Sequence, residues 1–94
     1  MITHSVMSPA EAQRLLDKHN TRNRTIRPRA VEEYTRSILS DRWLDHLQNA
    51  VQIDTEGVLI DGQHRLLAII AANKGVPLGV EYDVPPEVVE IIDR

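Results

Sequence analysis

Cysteine and phenylalanine are absent from this chain of 94 residues, and its aromatic residues amount to Trp43, Tyr34 and Tyr82. Without a thiol the chain forms no disulfide, no cysteine nucleophile and no cysteine-ligated zinc site. With so few aromatic rings it offers little platform for stacking the bases of a single-stranded nucleic acid. The core therefore has to be built from leucine, isoleucine, valine and alanine side chains.

Long hydrophobic runs are absent as well. No segment approaches the roughly 18 apolar residues that a membrane span requires. The first residues, "MITHSVMSPAEAQ", lack the basic-then-apolar order of a signal peptide. Because a chain without disulfides also suits a reducing compartment, we expect a cytoplasmic protein with no membrane partner.

Charge is distributed unevenly, although the net charge at pH 7 is only −3. Residues 1–42 contain eight Lys or Arg and five Asp or Glu, whereas residues 43–94 contain three and nine. The densest basic stretch contains no acid and holds Arg22, Arg24, Arg27 and Arg29. Such a cluster attracts phosphate, so it predicts either contact with a nucleic-acid backbone or a solvated basic loop balanced by the acidic half.

Helical signals dominate the first half of the chain. Ser8 as N-cap, with Glu11 three residues later, forms a capping box that predicts a helix over residues 9–19. Residues 20–28 show no periodicity and are predicted to form a loop. An apolar period of three to four residues then predicts a second helix from about Arg29 to Asp41.

The second half alternates strand and helix signals. Residues 51–60 predict a β-hairpin, because apolar residues alternate with polar ones on either side of a turn. Residues 63–74 predict an apolar helix that Gly75 ends. Residues 76–84 predict a third strand.

These elements predict a single small α+β domain over residues 1–94, with a short mixed sheet and hairpin packed against three or four helices. A last helix is predicted from Pro85 or Pro86 onward, and its apolar residues are Val88, Val89, Ile91 and Ile92. A helix so short and so apolar needs a partner surface. That surface is expected on a second copy, on another protein, or on the rest of a longer chain of which this one is a fragment.

Five residues interrupt the apolar runs where the hairpin ends and the next helix begins: Asp61, Gly62, Gln63, His64 and Arg65. The start of a helix presents backbone N–H groups and the positive end of the helix dipole, which suit an anion and phosphate in particular. Gly62 has no Cβ to keep a ligand from the backbone, and His64 and Arg65 add donors. The motif predicts a phosphate site formed by Gly62, Gln63, His64 and Arg65.

Asp61 does not fit a simple phosphate site, because its carboxylate would repel the ligand. It would instead bind a metal ion that bridges to phosphate, accept a proton from a nucleophile, or fix Arg65 or a backbone amide. A structural alternative also stands, in which Asp61 caps the helix, Gly62 serves the turn, and His64 and Arg65 lie on the surface.

The stretch "LIDGQHRLLAI" resembles the second conserved box of the ParB and sulfiredoxin superfamily. In that box a strand leads through a G-x-x-R turn into a helix beginning R-x-x-A, and Gly62, Arg65 and Ala68 occupy those positions. The stretch "NRTIRPRAVEEYTRSI" resembles the first box, a loop bearing Pro and Arg before a helix. The resemblance covers roughly residues 20–84.

The resemblance implies a ParB/sulfiredoxin-like fold in which the second box holds the phosphates of a nucleoside triphosphate with Mg²⁺. Arg27 or Arg29 would close over those phosphates. The sulfiredoxin reaction is excluded, because Gln63 stands where that enzyme has its catalytic cysteine. Related free-serine kinases use an acidic base, for which Asp61 is a better candidate than Glu56.

Three functions remain open. The chain is an NTPase or phosphotransferase in a DNA-related process of the phage, plasmid or partition kind, as the resemblance implies. It is alternatively a non-catalytic module that binds nucleic-acid backbone through its arginine cluster, with Arg22 and Arg24 as added contacts. The third reading is a regulatory domain that docks a partner protein or a second copy through its last helix.

Overall fold

The computed structural model describes residues 2–3, 5–21, 25–43 and 49–85. Three helices and six short strands follow one another along these residues. The helices are α1 (Pro9–His19), α2 (Pro28–Leu39) and α3 (Gln63–Ala72). The strands are β1 (Ile2–Thr3), β2 (Val6–Met7), β3 (Val51–Asp54), β4 (Leu59–Asp61), β5 (Val76–Pro77) and β6 (Val80–Val84).

Four of these strands form a mixed sheet in the order β1-β6-β3-β4. β6 runs parallel to β3, whereas β1 and β4 each pair antiparallel with a neighbour. β2 and β5 form a separate antiparallel pair. The predicted α+β class, with a mixed sheet and a hairpin formed by β3 and β4, is therefore confirmed.

The first helix follows its sequence signals closely. Ser8 Oγ accepts the Glu11 N–H at 3.1 Å, which is the predicted N-cap bond. One face of α1 is buried, and at its end His19 Nδ1 lies 2.8 Å from the carbonyl oxygen of Gly57 in the hairpin turn. This contact fixes the C-terminal end of α1 against the turn between β3 and β4.

The core is aliphatic, as the composition requires. α1 and α3 contact each other, and so do α2 and α3, which places α3 in the middle of the helical layer. Burying one Leu, Ile or Val side chain contributes about 1.5–3 kcal/mol to the free energy of unfolding. The most deeply buried large side chains are Leu15, Ile38, Val51, Ile53, Leu59, Leu66 and Ile69.

α2 and α3 are also joined at their C-terminal ends. Lys74, just past α3, places its Nζ 2.6 Å from a carboxylate oxygen of Asp41, just past α2. This hydrogen bond and the positive charge of Lys74 lower the pKa of Asp41. The contact lies at the exposed surface, so it orients the two helix ends without contributing much stability.

The prediction that Gly75 ends the third helix is wrong. α3 ends at Ala72, and Asn73 adopts the left-handed conformation that caps it, with φ of 51°. Asn is the residue that most often replaces Gly there. Gly75 instead allows β2 to approach, because a Cβ on Gly75 would lie 3.1 Å from the carbonyl oxygen of Met7.

The single strand predicted over residues 76–84 is two strands that belong to different sheets. β5 pairs with β2, and β6 pairs with both β1 and β3. The N-terminal strands β1 and β2 are two of these partners, and they are too short for their pairing to be predicted from local alternation. The predicted last helix lies outside the described residues.

The turn between β3 and β4 is organised by a buried carboxylate. Asp54 is only 2% exposed, and its Oδ1 accepts the N–H groups of Glu56 and Val58, each at 2.9 Å. Gly57 completes the turn with φ of 80°. Among the described helices, none is both long and apolar enough to cross a bilayer.

Gly62 and Gly57 both have positive φ, but only Gly62 is packed tightly. A Cβ on Gly62 (φ 112°) would lie 2.8 Å from Val51 Cγ2, whereas a Cβ on Gly57 (φ 80°) would have no neighbour closer than 3.8 Å. We expect Gly57→Ala to lower the free energy of unfolding by about 1–2 kcal/mol through backbone strain. Gly62→Ala should cost about 1–3 kcal/mol more through overpacking.

Urea denaturation of the two variants beside the wild type measures this difference. Equal losses of stability would contradict the close packing of Gly62 on Val51.

Candidate functional site

A pocket opens where α2 and α3 begin. Its volume is about 390 Å³, and we call it the phosphate pocket after the ligand that the sequence predicts there. Its walls come from the segment that precedes α2 and from the turn that joins β4 to α3. The lining residues are Thr25, Arg27, Asp61, Gly62, Gln63 and His64.

The N-terminal ends of two helices meet at this pocket. α3 begins directly after Gly62, and its first intrahelical bond runs from Leu66 N–H to Gly62 O at 3.0 Å. α2 begins after Arg27 in the same way. Neither helix has a side-chain N-cap bond or an acidic residue in its first turn. The positive end of each dipole is therefore neutralised neither by a capping side chain nor by an acid of its own first turn.

His64 joins the two helix starts. Its Nε2 accepts the backbone N–H of Arg27 at 2.9 Å. An imidazole nitrogen accepts a hydrogen bond only when it carries no proton, so the neutral ring is the form that makes this contact. The contact fixes the position of Arg27 relative to the first turn of α3.

The segment before α2 separates two surfaces. Arg27 is extended, with φ of −101° and ψ of 102°, so neighbouring side chains point in opposite directions. Thr25 and Arg27 line the phosphate pocket, whereas Ile26 and Pro28 line an apolar groove on the outer side of α2. The exposed Arg27 side chain is the positively charged group that lines the phosphate pocket.

Arg65 points into the protein. It is 5% exposed; its Nη1 donates to the carbonyl oxygen of Asn49, and its Nη2 lies 3.5 Å from Asp61 Oδ2. These contacts hold the segment before β3 and the end of β4 against α3. The predicted phosphate contact of Arg65 would require the guanidinium to leave both partners.

Gly62 serves packing as well as the turn. Its missing Cβ leaves room for Val51, which lies beneath the start of α3. The prediction from the sequence was that this glycine lets a ligand approach the backbone. The geometry gives a sufficient structural reason for it, and a ligand is not needed to account for it.

The other predicted residues divide between the pocket and the surface. Gln63 is buried at the first position of α3, and Asp61 is the carboxylate of the pocket lining, half-exposed and facing Arg65. Arg29 lies exposed in the first turn of α2 but does not line the pocket. Glu56 lies in the hairpin turn, at the other end of β3. Arg22 and Arg24 lie outside the described residues.

Two contributors were missed by the sequence analysis. Thr25 brings a hydroxyl to the pocket, and the only signal for it was its place two residues before Arg27 in the basic loop. Asn49 contributes a backbone carbonyl, which every residue has, so no sequence signal could identify it.

The pocket does not contain a preformed metal site. Within the described residues, no three His, Cys, Asp or Glu side chains are grouped closely enough to hold a metal ion. Asp61 is the single carboxylate of the lining, so the fit to Mg²⁺ is limited to an ion that a phosphate ligand carries with it.

The buried position of Arg65 indicates that it stabilises the fold, and mutation can test this role. We expect Arg65→Ala to lower the free energy of unfolding by about 2–3 kcal/mol, because it removes a buried side chain together with its hydrogen bond to Asn49 O. Asp61→Asn should cost less than about 1 kcal/mol, since Asp61 is half-exposed and Arg65 keeps its bond to Asn49. Thermal or urea denaturation measures both, and a fully stable Arg65→Ala would contradict this role.

Comparison with known proteins assigns no relative. No family model matches the chain, and neither a curated protein nor a solved structure matches it significantly.

Proposed function

We propose that this chain is a nucleotide-binding domain that holds the phosphates of a nucleoside triphosphate in the phosphate pocket. The observation that carries the proposal is the convergence of two helix starts, both without a side-chain cap, on one pocket that Arg27 also lines. The resemblance of residues 61–68 to a phosphate-binding box points to the same ligand.

Electrostatics favour an anion in this position. Each helix N-terminus stabilises a nearby negative charge by about 0.3–1 kcal/mol, and Arg27 adds a full positive charge with a forked donor geometry. Asp61 opposes this, but Arg65 lies 3.5 Å from its carboxylate and offsets part of that charge. The balance at the pocket is therefore positive.

The pocket suits phosphates better than bases. Its volume of about 390 Å³ lies within the range of small-molecule sites. Its lining contains no Phe, Tyr or Trp, and the His64 ring is held by the Arg27 N–H, so stacking of a base should contribute little to recognition there. The phosphates should supply most of the affinity, and the preference among bases should be weak.

Turnover would depend on Asp61. It is the one carboxylate of the lining, so it would either position the attacking group or bind the Mg²⁺ that the phosphates carry. In the arrangement described, one of its carboxylate oxygens faces Arg65 at 3.5 Å. Binding is therefore the primary function that we propose, and phosphate hydrolysis or transfer would be slow.

Isothermal titration with ATP, CTP, GTP and tripolyphosphate, each with and without Mg²⁺, tests the proposal. We expect all four ligands to bind with similar affinity. Arg27→Ala should weaken binding by about 10- to 100-fold, the effect of losing a charge-assisted hydrogen bond. Arg14→Ala is the matched control, because it removes the same charge from the exposed face of α1.

Three outcomes would contradict the proposal. The first is the absence of heat with every ligand at millimolar concentration. The second is binding of duplex DNA with a steep salt dependence while no mononucleotide binds, which would favour the nucleic-acid backbone module instead. The third is an equal loss of affinity in Arg14→Ala and Arg27→Ala, which would show that the ligand does not bind in the pocket.

A further inference from the structure

The outer side of the α2–α3 pair carries an apolar groove. Its volume is about 570 Å³. Two of its residues, Ile26 at 50% and Leu39 at 60%, are among the most exposed large hydrophobic side chains of the described residues. The lining residues are Ile26, Pro28, Val31, Glu32, Thr35, Arg36, Leu39 and Ala71.

α2 has more apolar surface than its own packing requires. Ile38 and Tyr34 face the core, whereas Pro28, Thr35 and Leu39 follow one another at helical spacing along the outer face. A helix of 12 residues is about 18 Å long, so this outer stripe runs its full length. An exposed stripe of this kind is typical of a surface that binds another helix.

The C-terminal segment, residues 86–94, has the matching sequence pattern. It lies outside the described residues, and its apolar and acidic residues alternate in register with a helical period. At 100° per residue the four apolar positions cover one side and the acids the other. As a helix it would be about 13 Å long, which fits within the length of α2. The apolar residues are Val88, Val89, Ile91 and Ile92, and the acids are Glu87, Glu90 and Asp93.

The charges around the groove complement this acidic segment. Arg36 lies on the groove and is exposed, paired with Glu32 at 3.2 Å. Arg29 lies exposed in the first turn of α2, where the helix dipole is also positive. Acids that flank the apolar side of the segment would meet these arginines at the rim.

The point where the chain leaves the sheet favours a second copy as the source of the segment. Val84 O accepts the Thr55 N–H at 3.1 Å, at the hairpin-turn end of β3. The helix starts lie at the opposite end of β3, where Gly62 packs on Val51. A helix that begins just after Pro85 therefore starts at least a strand length, about 13 Å, from the near end of its own groove.

We infer that the groove of one molecule binds segment 86–94 of a second molecule, so that two copies associate by exchanging these segments. The interface would be a small amphipathic helix in an apolar groove, closed by acid–arginine contacts at its rim. It involves neither the phosphate pocket nor any nucleotide, so it stands apart from the proposed function.

Sedimentation velocity over a concentration series tests the association. The wild-type chain should shift from monomer to dimer as concentration rises, and Leu39→Glu should shift the dissociation constant upward at least tenfold by placing a charge in the groove. Val6→Glu is the matched control, because Val6 is 65% exposed on β2, away from the groove. Unchanged denaturation curves for both variants will show that the fold is kept.

A cross-linking experiment identifies the occupant, and the absence of native cysteine makes it direct. The double variant Leu39→Cys with Ile91→Cys should form a disulfide between chains under mild oxidation, seen as a dimer on a non-reducing gel. Val6→Cys with Ile91→Cys should not. A chain that stays monomeric at all concentrations, or a disulfide that forms within one chain, would overturn the inference.

Discussion

The turn that joins β4 to α3 is the constraint on which the rest of this structure depends. Gly62 lies directly on Val51, and Arg65, one turn later, is buried against the carbonyl of Asn49 and the carboxylate of Asp61. A buried guanidinium is stable only where its donors find acceptors. The turn therefore positions three separate parts of the chain at once: the residues before β3, the end of β4 and the start of α3.

That constraint also creates the phosphate pocket. With α3 fixed at its first turn, His64 can hold the backbone of Arg27, and the start of α2 is brought beside the start of α3. Two positive helix ends then face the same space, with Arg27 at its edge. The binding role that we propose thus falls on the helix ends and Arg27, while the more deeply buried Arg65 maintains the geometry.

The segment before α2 has a double role in this arrangement. Its side chains alternate between the polar pocket and the apolar groove, because the backbone at Arg27 is extended. Residues on both surfaces are thus parts of one short stretch of chain. A ligand on either side would restrict the same backbone, although the two surfaces differ in chemistry: the pocket is polar and holds the charge of Arg27, whereas the groove is mostly apolar.

Local signals in the sequence were sufficient for the longer elements. The capping box at Ser8 and the helical periods predicted α1, α2 and α3, and alternation about a turn predicted the hairpin, because each of these patterns is set by neighbours in the chain. The two-residue strands and the division of residues 76–84 could not be predicted this way. Their partners lie far away in sequence, and two residues are too few to show a period.

The sequence by itself determined the α+β class, the aliphatic core and the position of a helix start directly after Asp61-Gly62. Only the tertiary structure decided what each residue of that motif does. Arg65 points inward because the backbone carbonyl of Asn49, 16 residues earlier in the chain, accepts its hydrogen bond there. Gly62 is required because Val51 lies beneath it. The direction of a side chain depends on packing between distant segments. The local sequence does not show which carbonyl or methyl group from such a segment will lie beside it.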